Sequence, residues 1–339
     1  MTRFLTEAKN FACGQVVSVF SMSALLFAKR LARREVHAPI LANLFFYLLL
    51  AVAYILYGWR RPSVPSGPAQ DTVRWWLYPF LALLDVQANV CAAKSVVYTT
   101  FATTGLTLNL AIPFVFVICT CVLKVPSSWK QATGCGLTVI GGLVLLGGCA
   151  SRFKSDDIEH QELYGWALAL ISAALYAASN IVNQWCLKIR GMDSMIDCLG
   201  MIGAWGAFFC VIETGLIEHA DITAINWNSQ VSLLFLGYTL ALFAFYTAVY
   251  VVVHGSETTA YNVSLLFSSV YLMLASYYLL NETIDVYTVV AMVVMLVGLS
   301  IYTWSCAVSG SSNLTQSSFD ALRAPREDYV LAKIQRVEV

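Results

Sequence analysis

The run from Tyr78 to Thr100, YPFLALLDVQANVCAAKSVVYTT, places Asp85, Gln87, Asn89 and Lys94 in an otherwise apolar background. An acid, a base and two amides at this spacing suit recognition of a small polar solute. The charges set the local field, and the amides offer donors and acceptors together. Asp85 is in addition a candidate carrier of a coupling proton. At about 100° per residue of helix, Asp85 and Asn89 fall near 0° and 40°, while Gln87, Lys94 and Tyr98 fall near 180–220°. One helix with two polar faces suits lipid on neither. A charge at mid-bilayer costs about 2.5–3.5 kcal/mol on insertion scales, so such groups face a polar partner or a wet cavity. The expectation is a helix that walls a solute pathway.

The elements that must carry these residues follow from composition. Of 339 residues, 59% are hydrophobic and 12% are charged, with a mean hydropathy of +0.70. Soluble domains carry about 25% charged residues. Several charge-poor stretches reach the roughly 20 residues that a bilayer demands of a helix. The chain is thus predicted to be an all-α, multi-pass membrane protein. The formal net charge of zero gives no footing for nucleic acid. The apolar run after Arg3 and Lys9 has no small-residue cleavage site before Lys29, so it is read as a retained first helix. The ten cysteines lie inside apolar spans without a C-x-x-C pair, and are read as packed free thiols, Cys91 and Cys186 among them. Scattered histidines make no metal site, no cofactor motif is present, and no catalytic constellation points to an enzyme.

Ten spans are predicted, at about 10–28, 38–58, 75–96, 101–123, 130–149, 164–186, 198–218, 230–253, 258–280 and 286–306. Tryptophans such as Trp59, Trp75, Trp129 and Trp304 mark span ends, whereas Trp205 lies inside a span and should pack between helices. Residues 60–74 and the acidic stretch Ser155–Glu162 read as loops. Ser256 and Glu257 read as the start of the ninth helix. Residues 309–339 read as a disordered cytoplasmic tail. Thirteen basic residues fall on the side of the termini against seven on the other, so the positive-inside rule places both termini in the cytosol. The sequon at Asn313 then stays unglycosylated.

A shift of about 158 residues brings Ala102 onto Ala260 and Lys124 onto Glu282, with span, loop and span in register. Two units follow, 1–150 and 151–308. Five helices per unit is an odd number, so the second unit enters the membrane inverted, as in many secondary transporters. Other polar residues inside spans fit a central site: Gln15 with Ser18, the cluster Asn180, Asn183 and Gln184, the pair Tyr246 and Tyr250, and Asn262 with Ser264. Gly134, Thr138 and Gly142 form a close-packing stripe of small residues. Glu213 is a further acid inside a span.

These stretches resemble a known family. LLDVQANVCAAKSVVYTT, SNIVNQ at 179–184, LGMIG at Leu199–Gly203 and TTAYNVSLL at 258–266 are similar to solute carrier family 35, subfamily F, within the drug/metabolite transporter superfamily. The resemblance implies ten helices in two inverted five-helix repeats. It also implies transport of a small organic solute that is nucleoside-, nucleobase- or vitamin-like. The expected binding residues are Gln15, Asp85, Gln87, Asn89, Lys94, Tyr98, Asn180, Tyr246, Tyr250 and Asn262. Two alternatives stand beside it. A Golgi nucleotide-sugar antiporter needs cations for phosphates, and Lys94 is the one candidate. A non-transporting receptor or scaffold would use the tail. The expected surroundings are a plasma, Golgi or endosomal membrane, and the expected partners are a solute, the lipid bilayer and a second copy of the chain in a homodimer.

Overall fold

The computed structural model describes residues 2–60, 75–124, 126–151, 158–190, 193–255 and 258–308. Side chains are described at 12, 14–60, 75–124, 126–149, 161–183, 196–249 and 267–306. The predicted tail, the loop at 60–74 beyond Arg60, and the proposed start at Ser256 and Glu257 lie outside these residues. So do the side chains of Gln184, Cys186, Tyr250, Asn262 and Ser264.

Every described element is helical: α1 Thr2–Ala32, α2 Pro39–Arg60, α3 Leu77–Tyr98, α4 Phe101–Leu108, α5 Ala111–Val117 closed by a π-helical turn at Ile118–Val122, α6 Trp129–Ser151, α7 Ile158–Arg190, α8 Asp193–Ile217, α9 His219–Ala224, α10 Ser229–Gly255, α11 Thr258–Leu280 and α12 Val286–Val308. Among the described residues, nine segments are long and apolar enough to cross a bilayer, with α4, α5 and the π turn counted as one. An additional apolar stretch, Phe267–Leu280, belongs to α11. The boundary tryptophans Trp59, Trp75, Trp129, Trp227 and Trp304 are exposed. Trp205 is partly buried against Phe208 and Phe209.

Two expectations are corrected. The predicted fourth span is one crossing but not one helix. Pro113 has no N–H to bond the Asn109 carbonyl, and its ring crowds that carbonyl. The helix breaks there, and Ile112 N–H bonds Asn109 O instead. The acidic stretch Ser155–Glu162 is not wholly a loop, because α7 begins at Ile158. Acids in a first helical turn complement the macrodipole, which favours this early start. The short α9 was also not foreseen. The residue before it, Glu218, is buried, and its two carboxylate oxygens accept from Ile40 and Leu41 N–H at 2.9 and 3.0 Å. Those N–H groups open α2, where Pro39 stands in the first turn, so an acid from another helix caps an otherwise orphaned terminus.

Two buried clusters form the core. One gathers Phe46, Tyr47, Leu81, Leu199 and Phe235 from α2, α3, α8 and α10; the other gathers Phe101, Leu106, Leu145, Leu272 and Met295 from α4, α6, α11 and α12. Small residues set the helix spacing. A Cβ on Gly134 would sit 2.7 Å from Gly298 O, and one on Gly298 would sit 2.7 Å from Gly134 O. The backbones of α6 and α12 therefore touch, and neither atom is free to swing aside. Gly134→Ala is expected to destabilise the bundle by about 1–3 kcal/mol, the usual range for overpacking. Detergent-solubilised protein should show a lower melting temperature, whereas Gly136→Ala, which meets open space, should leave it unchanged.

Candidate functional site

Gly203 and Gly206 on α8 bring α2 close. A Cβ on Gly203 would lie 2.4 Å from Ala51 N, and one on Gly206 would lie 2.5 Å from the Tyr47 ring. This contact fixes the Tyr47 ring, and its hydroxyl donates to Asp85 Oδ2 at 2.8 Å. Tyr246 of α10 donates to the same oxygen at 2.7 Å, and Ser179 of α7 donates to Oδ1 at 3.4 Å. Asn89, one turn along α3, completes the circuit. Its Nδ2 donates to the Tyr47 and Tyr246 hydroxyl oxygens at 3.0 and 2.8 Å, and its Oδ1 accepts from Tyr176 at 2.8 Å. Amide protons feed the phenol oxygens, and phenol protons feed the carboxylate. A low-dielectric interior penalises any break in such a chain, so a fully satisfied network holds one geometry. Ser172 pins α7 to α3 through the Ala88 carbonyl at 2.7 Å.

The network forms one wall of a cavity of about 380 Å³ whose other walls come from α1, α4, α5, α11 and α12. Asp85, Asn89, Asn180 and Tyr246 line it, as do Tyr176 and Asn183. The broken crossing adds Asn109, whose Nδ2 donates to Ser269 Oγ at 3.0 Å. Sequence reading missed Asn109; the signal was Pro113 four residues later. Amides, hydroxyls and aromatic rings thus surround a single formal charge: among the described lining residues, Asp85 is the one charged group.

The other expected site residues lie elsewhere. Gln87 hydrogen-bonds Glu213 on the α8 side of α3. Lys94 is half-buried on that same face, within electrostatic reach of Glu213 and Glu218. The physical reason is the helical period: two or five residues from Asn89 turns a side chain to the far face of α3. Tyr98 packs edge-on against Tyr164. Gln15 accepts from Tyr271 at 2.5 Å, outside the cavity. Tyr250 and Asn262 lie outside the described side chains. Removing Lys94 should therefore act on folding rather than on the cavity. Lys94→Ala is expected to cost about 1–2 kcal/mol, enough to lower cellular abundance several-fold. Glu213→Gln added to it should restore abundance in part, read by immunoblot of the membrane fraction.

An ion cluster joins the ends of several helices beyond the cavity. Lys29 of α1 donates from Nζ to Val96 O at 2.8 Å and Thr99 O at 2.6 Å, and lies 3.5 Å from Glu282 Oε1. Arg33 lies 3.6 Å from the same oxygen. Glu282 Oε2 accepts from Phe101 N–H at 2.9 Å and Ser276 Oγ at 2.7 Å. The ends of α1 and α3, the start of α4 and the turn after α11 are tied through one buried carboxylate. This end lies opposite the start of α1 and the end of α12.

A sequence model of the F group, described as Solute carrier family 35, matches residues 5–304. Solute carrier family 35 member F2 of Xenopus tropicalis is 28% identical over 299 residues, covering 86% of this chain and 75% of that one. The Mus musculus protein of the same name is 25% identical over 295 residues, covering 87% and 78%. A solved crystal structure shares the fold at TM-score 0.50 and 16% identity, over 85% of this chain and 97% of that one. With nine helical segments among the described residues long and apolar enough to cross a bilayer, the chain belongs to subfamily F of solute carrier family 35 and is a multi-pass membrane solute carrier.

Proposed function

We propose that the protein is a secondary transporter of a small, uncharged organic solute of nucleoside, nucleobase or vitamin type. It works by alternating access around the cavity at Asp85. The observation that carries this reading is the composition of the cavity walls. Amides and hydroxyls match the donors and acceptors of a heteroaromatic or sugar group, and Tyr176, Phe245 and Tyr246 offer ring faces. A nucleotide sugar carries phosphate charge that needs cations, and the described lining residues supply an acid instead. That observation favours the uncharged solute over the nucleotide-sugar antiporter.

Alternating access rests on two inverted five-helix units, 1–150 and 151–308, with α4, α5 and the π turn as one of ten crossings. The element starts support this division. Phe101 and Thr258, and Trp129 and Val286, open corresponding helices 157 residues apart (258 − 101 and 286 − 129). The ion cluster at Glu282 is the closed gate of the present state, and the termini face the cytosol by the positive-inside count. The test is a binding screen on purified protein with nucleosides, nucleobases, vitamins and nucleotide sugars. A ligand at 100 times its Kd stabilises the fold by about 2.7 kcal/mol. Stabilisation by an uncharged ring solute, lost on Asn180→Ala, supports the reading; stabilisation by nucleotide sugars alone refutes it.

A further inference from the structure

A second cavity, of about 600 Å³, opens at the surface at the end of the bundle where α1 and α11 finish. Arg30 in the last turn of α1 and Arg33 and Arg34 in the turn that follows line it, and all three are exposed. Gln230 and four leucines form the rest of its lining. Leu233 of the first turns of α10 and Leu279 at the end of α11 are 66% and 49% exposed. Basic residues at a helix C-terminus complement the macrodipole, which accounts for one or two of the arginines but not for a pocket shared by three helices. Arg33 already leans on Glu282 at 3.6 Å. Arg30 and Arg34 form no hydrogen bond or ion pair with a side chain among the described residues, and Glu35 does not line the pocket. Two guanidiniums without a side-chain partner among the described residues thus share a pocket with two exposed leucines at the C-terminal end of α1.

We infer that this pocket is a binding site for the headgroup of an anionic phospholipid. Guanidinium presents a planar fork of donors that fits phosphate oxygens two at a time, and it is the preferred partner for that group. The exposed leucines below fit the upper acyl chain, which a free phosphate lacks. Each basic residue beside an anionic headgroup adds to its attraction, and with cytosolic termini the lipid here comes from the non-cytosolic leaflet. Because Arg33 also lies 3.6 Å from Glu282, a phosphate held here sits beside the ion cluster at Glu282. The inference stands on this pocket alone, whatever solute the central cavity takes.

The test is native mass spectrometry of the full chain with added phosphatidylglycerol, phosphatidylcholine or inorganic phosphate, on wild type and on the double variant Arg30→Gln, Arg34→Gln. Each basic residue near an anionic headgroup contributes enough that losing two should weaken retention about thirtyfold. Wild type should retain phosphatidylglycerol over phosphatidylcholine and should not retain phosphate. Equal retention of both lipids by wild type would overturn the inference without recourse to any variant. Unchanged phosphatidylglycerol retention by the variant would overturn it too, and saturable binding of inorganic phosphate would make the site one for a soluble anion instead.

Discussion

Asp85→Asn is expected to abolish transport while the protein still reaches its membrane. The carboxylate accepts from Tyr47, Tyr246 and Ser179. An amide of the same size keeps one acceptor and turns a pair of donors toward phenol protons that are themselves donors. Hydrogen bonds to a charged group contribute about 1.5–3 kcal/mol each. Losing one resets the Tyr246 ring at the cavity wall and lowers uptake by about 100-fold or more. Folding is expected to survive, since a neutral side chain is easier to bury than a carboxylate. Tyr246→Phe removes one donor and leaves the acid with Tyr47 and Ser179, so its effect should be smaller. Uptake by membranes matched for abundance checks both. Normal uptake by Asp85→Asn, or its disappearance from the membrane, would place Asp85 in packing alone.

Glu282→Ala is expected to have the larger effect on stability. It strands Lys29, a cation with a side chain only 12% exposed, and frees the Phe101 N–H. Breaking one partner of a buried pair costs about 3–5 kcal/mol, so the single variant should be poorly delivered. Lys29→Met with Glu282→Gln removes both charges and should recover abundance. If the cluster is a gate, this double variant also opens the cavity toward that end. Ala93→Cys, on the cavity wall, should then react with an impermeant thiol reagent applied opposite the termini. Wild type carrying Ala93→Cys should stay protected. Equal labelling in both backgrounds would show that the cluster holds the helices without gating.

Much of this was legible in the sequence because helical period and charge scarcity are local properties. The split of α3 into an Asp85–Asn89 face and a Gln87–Lys94 face follows from residue spacing, and the structure keeps that split. The destination of each face was not legible. Whether Lys94 meets a solute or Glu213 depends on which helix packs behind α3, a contact across more than a hundred residues. Asn109 was hidden because an asparagine in an apolar run looks like any helix-to-helix hydrogen bond until Pro113 breaks the backbone beside it. Glu282 stood in the expected repeat as the counterpart of Lys124, yet its partners Lys29 and Phe101 come from the first third of the chain. Glu218 caps a helix 178 residues away in sequence, and no local pattern encodes a cap supplied by another helix. The family resemblance carried over motifs residue by residue, but it could not say which motif residues turn inward.

The central claim is that an uncharged solute occupies a cavity whose one charged described residue is an acid. It is tested most directly by uptake into proteoliposomes of a nucleoside and, in parallel, of its 5′-monophosphate and of a nucleotide sugar. Wild type should accumulate the nucleoside saturably, with no uptake of either phosphorylated compound and no competition from them. Saturable uptake of the nucleotide sugar, exchanged for the monophosphate and indifferent to the nucleoside, would contradict the account.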